Sequence, residues 1–392
     1  MKIKYNPQNL KWYLILIPFL YPRGFSEYFI LCKQIMTCWL YIAIAGIAIY
    51  FVFRLGTGRI KINSVFASVL LYFGVMLIET LLMQGGVNEG LQKVFATPAL
   101  FMFFLTAFQY QPANIMVAMA NILLIDNFLN CTIFCPPMLE KIMGENYITN
   151  IGFIGHVQMC AQIGVLGIAV AYLVQKYGYK KRSIVLYTLS LGTMVFSGAI
   201  ASYIAFGIIL IAYIFYNWGG RYILAKPSPK LIFLFGTALQ AVMIPIVIFY
   251  RIDFGARYYV WIDAVRQLAS HYLTGFGVYG VLIHTFWMEW TGDLGMNYAH
   301  NEVLQILLDG GIILFCCYFV MCFSLIKRYS LAVDRKTRYW FNCFLILYMA
   351  VGVTDSVTEY NYYYIFLLLM LFLPKLSRNL CSETRKLEIT NE

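Results

Sequence analysis

Long runs of apolar residues recur from one end of this 392-residue chain to the other. They lack the alternation, about ten residues at a time, that is typical of outer-membrane barrel strands. Hydrophobic residues make up 61% of the chain and charged residues 12%, against roughly 25% charged in an average soluble domain. So few polar groups cannot coat a water-soluble surface, which excludes soluble, disordered and fibrous proteins. Because lipid offers the backbone no hydrogen-bond partner, the runs are predicted to be transmembrane helices.

The apolar runs predict an all-α, polytopic integral membrane protein, a single membrane domain over residues 1–392 with about twelve transmembrane helices of ~20 residues each. With both termini in the cytoplasm, 22 of the 29 lysines and arginines fall on the cytoplasmic side, as the positive-inside rule requires. Residues 377–392 are polar and predict a mobile cytoplasmic tail. The predicted spans are 12–31, 34–53, 62–83, 93–109, 113–130, 151–175, 183–197, 200–217, 231–249, 308–326, 339–354 and 361–374.

The net charge of +11 is explained by these cytoplasmic loops, so nucleic acid is not expected as a partner. The ten cysteines form no CxxC pair or Cys/His cluster, so neither a metal site nor a cofactor is predicted. Cys131 and Cys135 fall in one predicted external loop and are a candidate disulfide pair. The other cysteines lie mostly inside apolar runs and predict small packing residues.

One external segment, residues 251–309 between the ninth and tenth spans, is unusually long and is called the long loop below. Long loops in compact proteins are more often functional than idle. This one carries three of the four histidines and three arginines on the side where arginine is disfavoured. The candidates among them are His300, Arg251, Arg257 and Arg266, whereas His271 and His284 match no motif and are interpreted as ordinary loop residues.

Helical spacing organises the first part of the long loop. It places Arg257 over Trp261 (i, i+4) and Asp263 beside Arg266 (i, i+3). Apolar residues between them let this segment lie at the membrane surface. Further on, Gly275 and Gly277 favour a sharp turn and a close approach of the backbone to a ligand.

The end of the long loop predicts a short helix that runs into the tenth span, with His300, Leu304 and Leu307 on one face. An imidazole near the headgroups can accept a proton from a hydroxyl at neutral pH. Nearby arginines can bind a phosphate bidentately. The alternatives are that His300 only anchors a helix and that the arginines reach to lipid headgroups.

The pattern of Arg257 and Trp261, Gly275 and Gly277, and then the run from His300-Asn301 to Gly310 resembles the O-antigen polymerase (Wzy-type) and O-antigen ligase superfamily of bacterial integral-membrane glycosyltransferases. The motifs span about 55 residues, and the span layout extends the likeness to the whole chain. The family often has a Ser-Arg pair at the turn after the seventh span. Here that turn reads Phe196-Ser197-Gly198 and lacks the arginine, so Arg251 is the candidate replacement.

The resemblance implies polymerisation of undecaprenyl-diphosphate-linked repeat units into O-antigen or capsular polysaccharide, without a metal, at the periplasmic face of the bacterial inner membrane. Donor and acceptor would both be lipid-linked glycans, and membrane lipid and a chain-length regulator are further expected partners. His300 would be the base, and Arg257 would act with it in catalysis. The expected substrate-binding residues are Arg251, Arg266, Trp261, Gly275, Gly277 and Asn301.

Two other functions stay open from the sequence. One is the ligase of the same superfamily, which transfers the glycan to lipid A-core. The other is a flippase or transporter of the lipid-linked oligosaccharide, for which polar groups near mid-membrane and inverted repeats are expected. Two acidic residues within spans, Glu79 and Asp126, are candidates either for lining the glycan cavity or for structural pairing. Asp355 and Glu359 flank the short external turn before the last span and either hold a sugar or an arginine or only mark the turn.

Overall fold

The computed structural model describes residues 10–24, 29–58, 63–84, 89–108, 110–132, 153–155, 159–220, 223–252, 257–285, 295–329 and 334–389. Within these ranges the chain is helical, and an antiparallel bridge between Ile283 and Met296 is the one β contact. The helices are α1 (Leu10–Leu20), α2 (Ile30–Gly56), α3 (Ser64–Gln84), α4 (Glu89–Phe103), α5 (Pro112–Cys131), α6 (Met159–Lys176), α7 (Lys180–Phe196), α8 (Ile200–Asn217), α9 (Pro229–Phe249), α10 (Arg257–Leu268), α11 (Glu302–Tyr329), α12 (Arg335–Val351) and α13 (Asn361–Ile389). A π-helical turn, Phe104–Phe108, follows α4, and a 3₁₀-helix, Val357–Glu359, precedes α13.

Seven of the described helices are long and apolar enough to cross a membrane, and three shorter helices are also apolar. The chain is therefore an all-α protein with membrane-spanning character, as its apolar runs predict. Each predicted span overlaps one of the helices α1 to α13. The twelve-span count and the cytoplasmic termini stay predictions. The predicted tail from residue 377 continues α13 as helix through Ile389. The seven long helices are α2, α3, α5, α6, α8, α9 and α11.

Two helices form the centre of the bundle. Every residue of α6 from Met159 to Val174 is buried, and so is α13 from Tyr362 to Leu373. Small residues let α7 approach α6 closely, because a Cβ added at Gly167 would lie 2.2 Å from Ser190 Oγ. By contrast, α2 exposes large apolar side chains such as Ile42 and therefore lies at the periphery.

Helix α11 is kinked at Gly310 and Gly311, and the kink determines where the long loop sits. Gly311 adopts φ 59°, a left-handed conformation that breaks the helical hydrogen bonding. The long loop supplies replacement bonds, because Ile312 N donates to Tyr272 O (2.9 Å) and Phe276 N donates to Leu308 O (2.7 Å). The opened helix thus keeps its backbone groups paired, which a membrane interior demands.

Candidate functional site

The helix α10 attaches the first part of the long loop to the bundle through Trp261. This side chain is fully buried, and its indole N–H donates to Ala299 O at 2.8 Å. Val260 and Ala264 bury the same face of the helix. Because Ala299 immediately precedes His300, the indole links the Arg257 segment to the His300 segment. The structure thus gives Trp261 a structural contact, and its role in substrate binding stays a prediction.

Asn301 begins helix α11 and fixes the residue before it. Its Oδ1 accepts a hydrogen bond from Leu304 N at 3.0 Å, the geometry of a helix N-cap. Its Nδ2 donates to Gln240 O (3.2 Å) and Val353 O (3.3 Å). The asparagine is fully buried and joins α9, α11 and the end of α12.

His300 lies outside the helix, with φ 52° in the left-handed region. The prediction that it shares a helical face with Leu304 and Leu307 is wrong, because the helix begins at Glu302, after the Asn301 cap, and His300 lies before that cap. Left-handed backbone is uncommon outside glycine and costs about 1–3 kcal/mol. The imidazole is half-buried and stands perpendicular to the Tyr298 ring, with ring centroids 4.7 Å apart.

Arg257 binds the segment between α12 and α13, residues 352–360, which we call the C-terminal turn. Its Nε and Nη2 donate to Thr354 O at 3.2 and 2.8 Å. Burial lowers the pKa of Arg257, and the neighbouring Asp355 carboxylate opposes that shift. Burial raises the pKa of Asp355 to about 6, against the opposing effects of hydrogen bonds from Gln162 and the Ser356 amide and of the Arg257 charge.

Two predicted site residues, Arg257 and Asn301, therefore both contact the C-terminal turn, and His300 immediately precedes Asn301 in the chain. The other two predicted arginines differ: Arg251, at φ 50°, and Arg266 are both exposed. Their roles in substrate binding stay predictions.

Asp263 does not take the partner expected for it. Its Oδ2 accepts from Gln267 Nε2 at 2.7 Å and from His284 N at 2.8 Å, whereas Arg266 was the predicted partner. The carboxylate therefore ties α10 to the later part of the long loop. A backbone amide within reach satisfies an acceptor with less loss of side-chain freedom than an arginine on the same exposed helix face.

Both loop glycines adopt left-handed backbone, and Gly275 makes the close approach that the sequence predicts, with the chain itself as its partner. Gly275 has φ 63° and Gly277 φ 77°. A Cβ added at Gly275 would lie 2.5 Å from Leu308 O and 2.6 Å from Gly310 N. This glycine therefore seats the long loop against the kink of α11. Binding of substrate by either glycine stays a prediction.

An ion cluster of Lys93, Asp309, Glu359 and Tyr279 lies beside these residues. The sequence singled out Glu359 alone, and its pairing with the other three residues was missed. Lys93 Nζ lies 3.1 Å from Glu359 Oε2 and 3.5 Å from Asp309 Oδ2. The Tyr279 hydroxyl donates to Glu359 Oε1, and its ring lies 5.5 Å from the Lys93 ammonium. The available signal was the charge of Lys93 near the start of the apolar helix α4, because a charge in such a helix is seldom left unpaired and so indicates a buried partner.

Gln305 connects the ion cluster to the His300 segment. Its Nε2 donates to Asp309 Oδ1 at 2.9 Å, and its Oε1 accepts from Ala299 N at 2.7 Å. One turn earlier, Glu302 Oε2 accepts from Thr358 N at 2.9 Å and so fixes the C-terminal turn. Hydrogen bonds and ion pairs thus join the ion cluster, the C-terminal turn and the segment around His300 into one layer.

The layer has more acidic than basic side chains. Lys93 is paired with two carboxylates, Arg257 faces Asp355, and Glu302 is a further acid. Among the described residues, no group of three or more His, Cys, Asp or Glu side chains could hold a metal ion.

The intramembrane acids sit apart from this layer or at its edge. Glu79 is buried on α3, and its Oε2 would lie 2.1 Å from a Cβ added at Gly310, so this carboxylate reaches the kink. Asp126 is buried on α5. Cys131, the last residue of α5, contacts Leu189 O and Thr193 Oγ1 at 3.4 Å, and its candidate disulfide partner Cys135 lies outside the described residues.

Comparison with known proteins adds no family to this geometry: neither the protein-family models nor the curated proteins searched gave a match.

Proposed function

We propose that this protein polymerises undecaprenyl-diphosphate-linked oligosaccharide repeat units, as an integral-membrane glycosyltransferase of the bacterial inner membrane that acts at its periplasmic face. The observation that carries the proposal is the backbone of His300. Its left-handed conformation persists because the Asn301 cap and the bond from Trp261 to Ala299 hold both neighbours. Backbone strain retained in this way is typical of functional sites.

In the proposed reaction, the His300 imidazole takes the proton of an acceptor sugar hydroxyl. The hydroxyl oxygen then forms a bond to the anomeric carbon of the donor glycan, and the bond from that carbon to the diphosphate breaks. The electron pair leaves with the undecaprenyl diphosphate. Arg257 stabilises that leaving group, and its anchorage on Thr354 O sets the direction of its guanidinium.

The exposed arginines complete the donor site in this proposal. The positive charges of Lys93 and Arg257 are already opposed by carboxylates, so a diphosphate needs further cations. Arg251 and Arg266 are the candidates on the same loop, and both are exposed to an incoming headgroup. Bidentate contacts from arginine match the geometry of phosphate oxygens.

Two alternatives remain for the same chain. The ligase of the superfamily would use the same base with lipid A-core as acceptor. A flippase or transporter of the lipid-linked oligosaccharide is favoured by one observation, the broken helix α11 with buried charges beside its kink.

The test is the surface-polysaccharide ladder of a deletion strain complemented with variants at matched expression. We expect wild type to restore the ladder and His300→Ala to leave core with a single repeat unit. His300→Gly separates chemistry from strain, because glycine tolerates the left-handed backbone. We expect it to fold as stably as wild type, within about 1 kcal/mol, and yet to make no ladder. His284→Ala is the matched control, since His284 is an exposed histidine of the same loop.

Each other outcome points to a different function. Accumulation of free lipid-linked polymer over bare core in the deletion strain identifies the ligase. A full ladder from His300→Ala removes the catalytic assignment and moves the transporter ahead. Repeat units confined to the cytoplasmic leaflet in the deletion strain identify a flippase.

A further inference from the structure

A groove of about 520 Å³ lies between α1, α2 and the end of α4, far along the chain from the long loop. Its walls are apolar, with Trp12, Trp39 and Phe103 among them. Side chains on its rim are exposed, Ile42 by 71% and Leu14 by 48%, so the groove opens on the outer surface of the bundle. On helices of this hydropathy that surface faces lipid.

The floor of the groove is kept open by small residues and by an unusual backbone. A Cβ added at Gly46 would meet nothing within 4 Å. On the opposite side, Thr106 and Ala107 belong to the π-helical turn Phe104–Phe108. Turns of this kind are rare and occur frequently at functional sites.

Polar groups along the groove are donors. Trp12 is buried, and its indole N–H has no hydrogen-bond acceptor among the described residues. Lys11 lines the groove and is exposed, with its ammonium 4.7 Å from the Trp12 ring. The guanidinium of Arg54, which does not line the groove, lies 5.7 Å from the ring of the lining residue Tyr50. None of the described lining residues is acidic, so the groove suits a ligand that carries acceptor oxygens and negative charge.

The length of the groove indicates an acyl chain. Along α2 it extends from Trp39 to Tyr50, which is about 16 Å at ~1.5 Å per residue. The hydrocarbon core of a bilayer is ~30 Å thick, so the groove is as long as one leaflet is deep. We propose that it binds one anionic phospholipid, with an acyl chain against Gly46 and the headgroup oxygens at Lys11 and Trp12.

The test uses the purified full-length protein, with phosphatidylglycerol and phosphatidylcholine as probes and native mass spectrometry to count retained lipid. We expect wild type to retain one phosphatidylglycerol. Gly46→Leu fills the groove and lowers that occupancy at least tenfold. Gly207→Leu is the matched control on α8, because a Cβ there also meets nothing within 4 Å, and it retains lipid as wild type does.

Substitution of the two donors tests the headgroup end and does not depend on filling the groove. Lys11→Gln lowers the preference for phosphatidylglycerol over phosphatidylcholine about fivefold, the factor for one ammonium at an anionic surface. Trp12→Phe weakens retention of both lipids. The proposal is overturned if Gly46→Leu retains lipid like wild type, if Lys11→Gln keeps the full preference, or if undecaprenyl phosphate displaces phosphatidylglycerol at equal concentration.

Discussion

Removing the ammonium of Lys93 should destabilise the fold far more than the small net contribution of the complete ion cluster suggests. At an effective dielectric constant near 20, each of its contacts, at 3.1 and 3.5 Å, is a gross attraction of about 5 kcal/mol. Desolvation of three buried ions offsets most of that sum, so the complete cluster contributes little net stability. Lys93→Met, however, leaves Asp309 and Glu359 buried without their cation, which costs about 3–5 kcal/mol.

The assay is unfolding of the purified protein by sodium dodecyl sulfate in mixed micelles, followed by tryptophan fluorescence. Lys93→Met combined with Asp309→Asn and Glu359→Gln removes all three charges, and we expect its stability to return to within about 1 kcal/mol of wild type. Lys176→Met is the control. It breaks a 2.9 Å pair with Asp334 whose side chains are 25% and 51% exposed, and it should cost less than about 1 kcal/mol. The reasoning is refuted if Lys93→Met behaves like that control, or if the neutral triple variant is as unstable as Lys93→Met.

Three further outcomes follow from the site. Gly311→Ala should destabilise by more than about 2 kcal/mol in the same assay, because its Cβ would lie 2.2 Å from Leu273 backbone at φ 59°; a neutral result contradicts the kink geometry. Asn301→Ala should cost about 1–2 kcal/mol through loss of the cap. The raised pKa of Asp355 makes its stabilising form the neutral one, so wild type should lose about 3 kcal/mol relative to Asp355→Asn as the pH rises from 4 through 6. If the stabilities of wild type and Asp355→Asn change in parallel with pH, the raised pKa of Asp355 is excluded.

Hydropathy predicts the helices well and their ends poorly. The tenth span, predicted by hydropathy from residue 308, is part of a helix that begins at Glu302, as the short helix predicted at the end of the long loop anticipates. Hydropathy alone misses these first turns, because Glu302 and Asp309 lower its value in a segment that is nevertheless buried. Both acids are satisfied by groups from elsewhere in the fold, Thr358 N and Lys93. A local average of hydropathy does not contain such partners.

The residues proposed for the candidate site stay predictions, whereas part of their predicted geometry is wrong. Helical spacing and residue chemistry indicated Arg257 and His300, and of these two Arg257 contacts the C-terminal turn. The spacing failed at His300 because the helix begins at Glu302, after the Asn301 cap, and this cap also bonds to Gln240 and Val353. The pairing of Lys93 with Glu359 spans 266 positions of sequence, and no local pattern carries it.

The C-terminal turn also determines when, during synthesis of the chain, the contacts of the candidate site can form. Ribosomes deliver the chain from its N-terminus, so Lys93, Arg257 and His300 are made before residues 352–360 exist. Until then Lys93 lacks Glu359, and Arg257 lacks the carbonyl of Thr354. A chain cut short before residue 352 therefore contains most of the helices but lacks these partners of Lys93 and Arg257, and the entry of α12 and α13 with the turn between them completes the contacts of the candidate site.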